Sequence, residues 1–246
     1  LDKSVEIPRF HHNPLNPGRA QLSAPEGRHF VSVLRGRAGQ SIELFDGCGR
    51  LAGGVVTRIK KNDVFVEIEN ISACTPSQAG RIILAVAAAK GQRLDWMLSK
   101  CTELGADHIV LVQYEHSVRL GRESAAGRYQ NILIAACKQS GRVFLPTLTG
   151  PQKLADAITE LKQQYPLARF IFGSPDPNAK TLRNLANDSR DTLVFIGPEG
   201  GLTQTETQLL EHNGAVPVRV ANHILRTETA VVAFTAILEA LRINNT

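Results

Sequence analysis

The chain has 246 residues, enough for one large or two ordinary domains with proper cores. A hydrophobic content of 43% against 21% charged residues excludes the disordered and fibrous classes. A net charge of +5 permits a polyanionic partner without demanding one, and its spread along the chain means that any nucleic-acid surface must be assembled by folding. No apolar run approaches membrane-helix length, and the first residues lack a signal-type apolar core, so no membrane partner is expected. Aromatic residues make up 5% of the chain and form no stacking platform, which disfavours a single-strand-binding module. Cys48, Cys74, Cys101 and Cys137 lack the short spacing of a zinc knuckle or redox dithiol. A reducing, cytoplasmic compartment and no metal are therefore expected.

In chain order, residues 1–75 read mostly as strands. Ser23 and Glu26 have capping-box spacing before a helix with Phe30, Val33 and Leu34 on one face. Ser41 to Phe45 is a strand stopped by Asp46-Gly47, and Val55 to Ile59 and Val64 to Ile68 form a hairpin through residues 60–63. The expected result is a small β-barrel with one helix. Arg28, Arg35, Arg37 and Arg50 gather around that helix, either as a solvated basic face or as an RNA-contacting patch.

Residues 74–80, rich in small and turn-forming types, read as a linker, and from residue 76 to 246 the pattern is β-α-β-α. Strands are expected at Ile82–Ala88, His108–Val112, Ala168–Phe172, Thr192–Ile196 and Val216–Val220. Helices are expected around Leu94–Cys101, Tyr129–Cys137, Leu154–Leu161 and Thr227–Leu241. This alternation calls for a mainly parallel sheet covered on both faces.

Three strand ends stand out: Gly173-Ser174-Pro175, residues 197–201 (Gly-Pro-Glu-Gly-Gly) and residues 224–230 (Ile-Leu-Arg-Thr-Glu-Thr-Ala). The second lies between a strand and a helix opened by the capping-box pair Thr203 and Glu206. It lacks the Lys-Ser/Thr of a P-loop and the spacing of a dinucleotide fingerprint. With Glu199 as its one charge, it suits a neutral nucleoside or a cationic ligand better than polyphosphate. An ordinary tight turn has the same composition, and a role for Glu199 at the dipole of the following helix is an equal alternative. If the three strands are neighbours, the loops form one small-molecule site.

Together, Ile196 to Leu202 and Leu225 to Ala230 closely resemble the RsmE family of 16S ribosomal RNA (uracil-N3) methyltransferases of the SPOUT superfamily. The resemblance extends to Ile7 to Phe10, His29 to Arg35, Lys100 to Gly105 and Gln139 to Arg142. Lys138 departs from it, standing where the family commonly has Glu. The resemblance implies a PUA-like β-barrel domain at 1–75, which binds RNA, followed by a SPOUT-type α/β domain at 76–246 with a C-terminal trefoil knot. It implies S-adenosylmethionine as cofactor, held by Gly173, Ile196, Gly197, Glu199, Gly200, Gly201, Leu225, Arg226, Thr227 and Ala230. It implies a homodimer acting on 16S rRNA of the small ribosomal subunit, with Val231, Val232, Phe234 and Leu238 as interface or core. For catalysis, Arg226 and Arg9 are expected to steady the developing uracil anion and Glu228 to accept a proton, with an Arg226–Glu228 ion pair as the alternative. Arg28, Arg35, Arg37, Lys60 and Lys61 are the expected RNA contacts. Methylation of another RNA position, such as a ribose 2′-hydroxyl, and a non-catalytic RNA-binding role are the alternatives.

Overall fold

The computed structural model describes residues 7–88, 91–117, 126–182 and 189–243. It divides into two compact units, Leu1–Pro76 with Cys137–Leu145, and Ser77–Ala136 with Pro146–Thr246. Among the described residues no helix is long and apolar enough to cross a membrane, and no group of His, Cys, Asp or Glu could hold a metal.

The first unit is a five-stranded sheet in the order β1-β3-β4-β5-β2. Its strands are β1 (Arg9–His11), β2 (Gly18–Gln21), β3 (Ser41–Phe45), β4 (Arg50–Lys60) and β5 (Asp63–Ala73). β1 runs parallel to β3 and the other pairs are antiparallel. Alternation sets the register: Val64, Val66 and Ile68 of β5 are buried with Phe10, Phe30, Ile42 and Leu44, while Glu67 faces outward. Lys61, in the left-handed region at φ 56°, turns β4 into β5 within two polar residues.

The helix α1 (Ala24–Arg28) continues into a π-helical turn at His29–Val33. The capping box expected at its start does not form. Ser23 makes no side-chain cap, and Pro25 supplies a preset first turn instead. The Glu26 carboxylate is drawn away to Lys138 Nζ at 2.6 Å, a pair largely removed from water. Lys138 also lies 4.9 Å from the Phe10 ring centre, so the position that breaks the family pattern is a packed part of this unit. The same return segment donates Leu145 N to Gly47 O and accepts Gly49 N at Val143 O.

The second unit carries a seven-stranded sheet, β10-β12-β9-β11-β6-β7-β8, parallel throughout. In chain order its elements are β6 (Ile82–Ala87), α2 (Gln92–Glu103), β7 (His108–Gln113), α3 (Ala126–Ser140) and β8 (Thr147–Lys153). There follow α4 (Leu154–Gln164), β9 (Arg169–Gly173), β10 (Lys180–Thr181), β11 (Thr192–Ile196), α5 (Gln204–His212), β12 (Val216–Arg219) and α6 (Thr227–Ile243). β6 and β11 are buried at every residue, which requires cover on both faces. Phe170, Phe172, Leu193 and Phe195 pack against Leu154, Ile158 and Leu161 of α4 on one face. On the other, α6 packs on α2, β6 and β11.

That packing favours the core alternative for three of the four apolar residues singled out on α6. Val231, Phe234 and Leu238 are buried within this single chain and belong to its core, leaving only Val232 of the four half-exposed. Val232, Ala233, Ala236 and Ile237, at helical spacing on the opposite side, form the half-exposed apolar face.

Candidate active site

Parallel strands deliver their following loops to one end of the sheet, and here the carboxyl ends of β9, β11 and β12 are adjacent. With the first turns of α6 they enclose a cavity of about 310 Å³, near the lower end of the range typical of small-molecule sites. Two of its glycines sit close against neighbouring side chains. A Cβ on Gly173 would stand 2.8 Å from Ile196 Cδ1, and one on Gly197 would stand 2.7 Å from Leu202 Cδ2. Thr227 Oγ1 donates to Gly197 O at 3.2 Å, tying the start of α6 to the glycine loop.

The glycine loop is held from outside as well. Gly201 N donates to Pro198 O at 2.9 Å, closing the turn with Gly201 at φ +76°. The capping box forms: Glu206 N donates to Thr203 Oγ1 at 3.2 Å, and Thr203 N to Glu206 Oε2 at 2.9 Å. Glu206 Oε1 also accepts Glu115 N at 2.8 Å, and His116 Nδ1 lies 3.1 Å from Gly200 O. The turn after β7 thus braces the loop.

Of the residues expected to hold a cofactor, Gly173, Ile196, Gly197, Glu199, Gly201, Leu225, Thr227 and Ala230 line this cavity. Gly200 and Arg226 do not: Gly200 faces His116, and Arg226 is exposed just before α6. Val218 to Ala221, His223 and Ile224, at the end of β12 and just beyond it, line the cavity too. Their signal in the sequence is Ala221-Asn222 directly after the expected strand Val216–Val220.

Glu228 is buried beside the cavity, outside its lining. Its ion pair is not with Arg226. Arg93, the second residue of α2, pairs with Glu199 and stands 4.0 Å from Glu228 Oε1, while Glu228 Oε2 is buried without a partner. Nothing in the sequence singles out Arg93. Arg9 lies on β1 in the first unit, paired with Glu43 through Nε, with Nη1 buried and unpartnered. Arg28, Arg35, Arg37, Lys60 and Lys61 are all exposed in that unit.

The lining fits a nucleoside bearing a cationic centre. Phe172, Ile196, Leu202, Leu225 and Phe234 supply apolar surface, and the glycines admit close backbone contact. The lining's arginine, Arg219, hydrogen-bonds Ala179 O and Asn222 Oδ1, and among the described residues the lining holds no lysine.

Residues 75–239 match the family model for an RNA methyltransferase domain, and residues 22–69 that for an RNA methyltransferase PUA domain. The structure of ribosomal RNA small subunit methyltransferase E from Neisseria gonorrhoeae, bound to S-adenosyl methionine, superposes with a TM-score of 0.86 at 30% identity. It covers 96% of this chain and 98% of that one. The chain belongs to the RsmE family. A Legionella pneumophila protein solved in complex with bound SAM is equally similar, with a TM-score of 0.88 at 31% identity over 96% of this chain and 98% of the other. Ribosomal RNA small subunit methyltransferase E of Buchnera aphidicola is 25% identical over 96% of this chain and 94% of its own length. In RsmE terms, the first unit contains the PUA-like domain and the second is the SPOUT-type α/β domain with its parallel sheet.

Proposed function

We propose that this RsmE-family chain methylates N3 of a specific uridine in 16S rRNA of the small ribosomal subunit, with S-adenosylmethionine as donor. The observation that carries this reading is the cavity at the ends of β9, β11 and β12, walled largely by glycine backbone and apolar side chains, with Arg219 turned to Ala179 O and Asn222 Oδ1. Gly173, Gly197, Gly201, Leu225, Thr227 and Ala230 would hold the donor, with Gly200 and Arg226 contributing from the rim. When bound, the donor supplies an electrophilic methyl group on a cationic sulfur.

The protein's part is to present an unpaired uracil in line and to steady the anion left when N3 loses its proton. Arg226, exposed at the rim and without a side-chain partner among the described residues, is suited to a charge-assisted hydrogen bond with a uracil carbonyl. Arg9 is proposed for the same task. Glu228, lying outside the lining, would accept the proton through a water. Arg28, Arg35, Arg37, Lys60 and Lys61 would hold the RNA backbone.

A homodimer is part of the proposal, formed through the half-exposed face of Val232, Ala233, Ala236 and Ile237. So is the trefoil knot. β12 lies beyond β9 while α6 packs on β11 and β6, so the connection at 220–226 must cross the strand ends.

The test is methyl transfer to small-subunit RNA by Arg226→Ala, Arg9→Ala and Glu228→Gln, with donor affinity measured by calorimetry. Each is expected to lose on the order of 10²-fold in kcat, with donor binding retained by Arg9→Ala and Glu228→Gln. A wild-type rate for Glu228→Gln removes its role as proton acceptor.

A further inference from the structure

Arg93 reaches carboxylates on two different elements, Glu199 on the glycine loop and Glu228 in the first turn of α6. The two contacts lie in different surroundings. The Glu199 side chain is 57% exposed, and an ion pair so open to water contributes little. The Glu228 side chain is 9% exposed, with Oε2 buried and unpartnered. A carboxylate so far out of water needs its charge balanced. The amino end of α6 supplies part of that balance. Arg93 supplies the only side-chain cation paired with Glu228 among the described residues.

The distance matters as much as the sign. At 4.0 Å, Arg93 Nη1 is beyond hydrogen-bond reach of Glu228 Oε1. The charge is balanced while the lone pairs of the carboxylate remain open to another donor. The shorter contact is with Glu199, so the guanidinium's hydrogen bond goes to the loop rather than to Glu228.

We infer that Arg93 is a positioning residue for methyl transfer: with its hydrogen bond directed to Glu199, it balances the charge of the buried Glu228 carboxylate, the proton acceptor, without occupying it. This rests on the role proposed above for Glu228. It adds a residue from α2 to a site otherwise built from the ends of β9, β11, β12 and α6, and links acceptor and donor loop through one side chain.

The experiment compares wild type, Arg93→Gln, Arg93→Lys, Glu228→Gln and the Arg93→Gln/Glu228→Gln double variant. Methyl transfer to small-subunit RNA is measured alongside calorimetry with S-adenosylmethionine and a thermal melt. Arg93→Gln is expected to lower kcat by about tenfold or more, with donor Kd within about threefold of wild type, and Arg93→Lys to recover most of the rate. Because the two residues act as a unit, the double variant should be no slower than Glu228→Gln alone. Multiplying losses, or a wild-type kcat for Arg93→Gln beside an impaired Glu228→Gln, overturn the inference and leave the proposed function standing. A wild-type rate for Glu228→Gln removes the acceptor role and this inference together. Absence of transfer by the wild-type protein, in turn, ends the reading on which both rest.

Discussion

Gly173 shows how a single hydrogen atom shapes the site. Its missing side chain leaves room for Ile196, whose δ-methyl would otherwise be displaced, and Ile196 is itself a wall of the cavity. Gly173→Ala is therefore expected to weaken S-adenosylmethionine binding by about tenfold, the equivalent of ~1.4 kcal/mol. Calorimetry checks this, and unchanged affinity would show that the wall gives way freely. The cysteines make a second residue-scale case. Burial pushes the Cys101 thiol up to about 12 and that of Cys137 up to about 11, while Cys48 is exposed. At neutral pH a disulfide reagent should modify Cys48 in the native protein and reach Cys101 and Cys137 only after denaturation. At this scale the sequence was informative wherever chemistry is local. Glycines at a strand end and Thr203 with Glu206 are readable from spacing. Arg93 was not legible, because its partners lie 106 residues away at Glu199 and farther still at Glu228.

Elements were legible where their own residues decide them. β11 carries five buried apolar or β-branched residues and needs no context to be recognised. β8 contains Gly150 and Pro151, which suit the sheet edge it occupies but hide it from a search for strands. The start of α1 illustrates competition between a local and a distant partner: Glu26 has capping-box spacing, yet its carboxylate goes to Lys138. The faces of α6 could not be sorted from sequence, since apolar residues surround it and only packing on α2, β6 and β11 shows which side is core. β7 begins with a buried histidine, His108, whose ring nitrogens lie 3.1 Å from Tyr165 Oη and 3.0 Å from Thr149 Oγ1. Burial lowers its pKa below the ordinary 6.5, with Glu160 opposing and Arg81 reinforcing the shift. Unfolded chains then bind a proton below about pH 6.5 that the folded chain resists. This stabilisation is complete above that pH and is lost as pH falls, at no more than about 1.4 kcal/mol per pH unit. Thermal melts from pH 7.5 to 5.5 should show a shallower decline for His108→Gln than for wild type.

For the whole molecule, the proposed division of labour puts the five proposed RNA contacts and the cavity in separate units. The exposed cations Arg28, Arg35, Arg37, Lys60 and Lys61 belong to the first unit, and the cavity is formed wholly by the second. If all five meet phosphates, the logarithm of RNA affinity should fall against the logarithm of salt with a slope between about −3.5 and −4.5. Donor affinity, resting on apolar walls and backbone, should barely change over the same range. The inclusion of residues 137–145 in the first unit arises from tertiary packing at Gly47 and Gly49, which no composition shift announces. The most direct test of the whole account is mass mapping of small-subunit rRNA, taken from cells lacking this protein, after incubation with it and S-adenosylmethionine. One new methyl group is expected, carried on N3 of a single uridine. A methyl found on a ribose hydroxyl or on another base, or none at all, would contradict it.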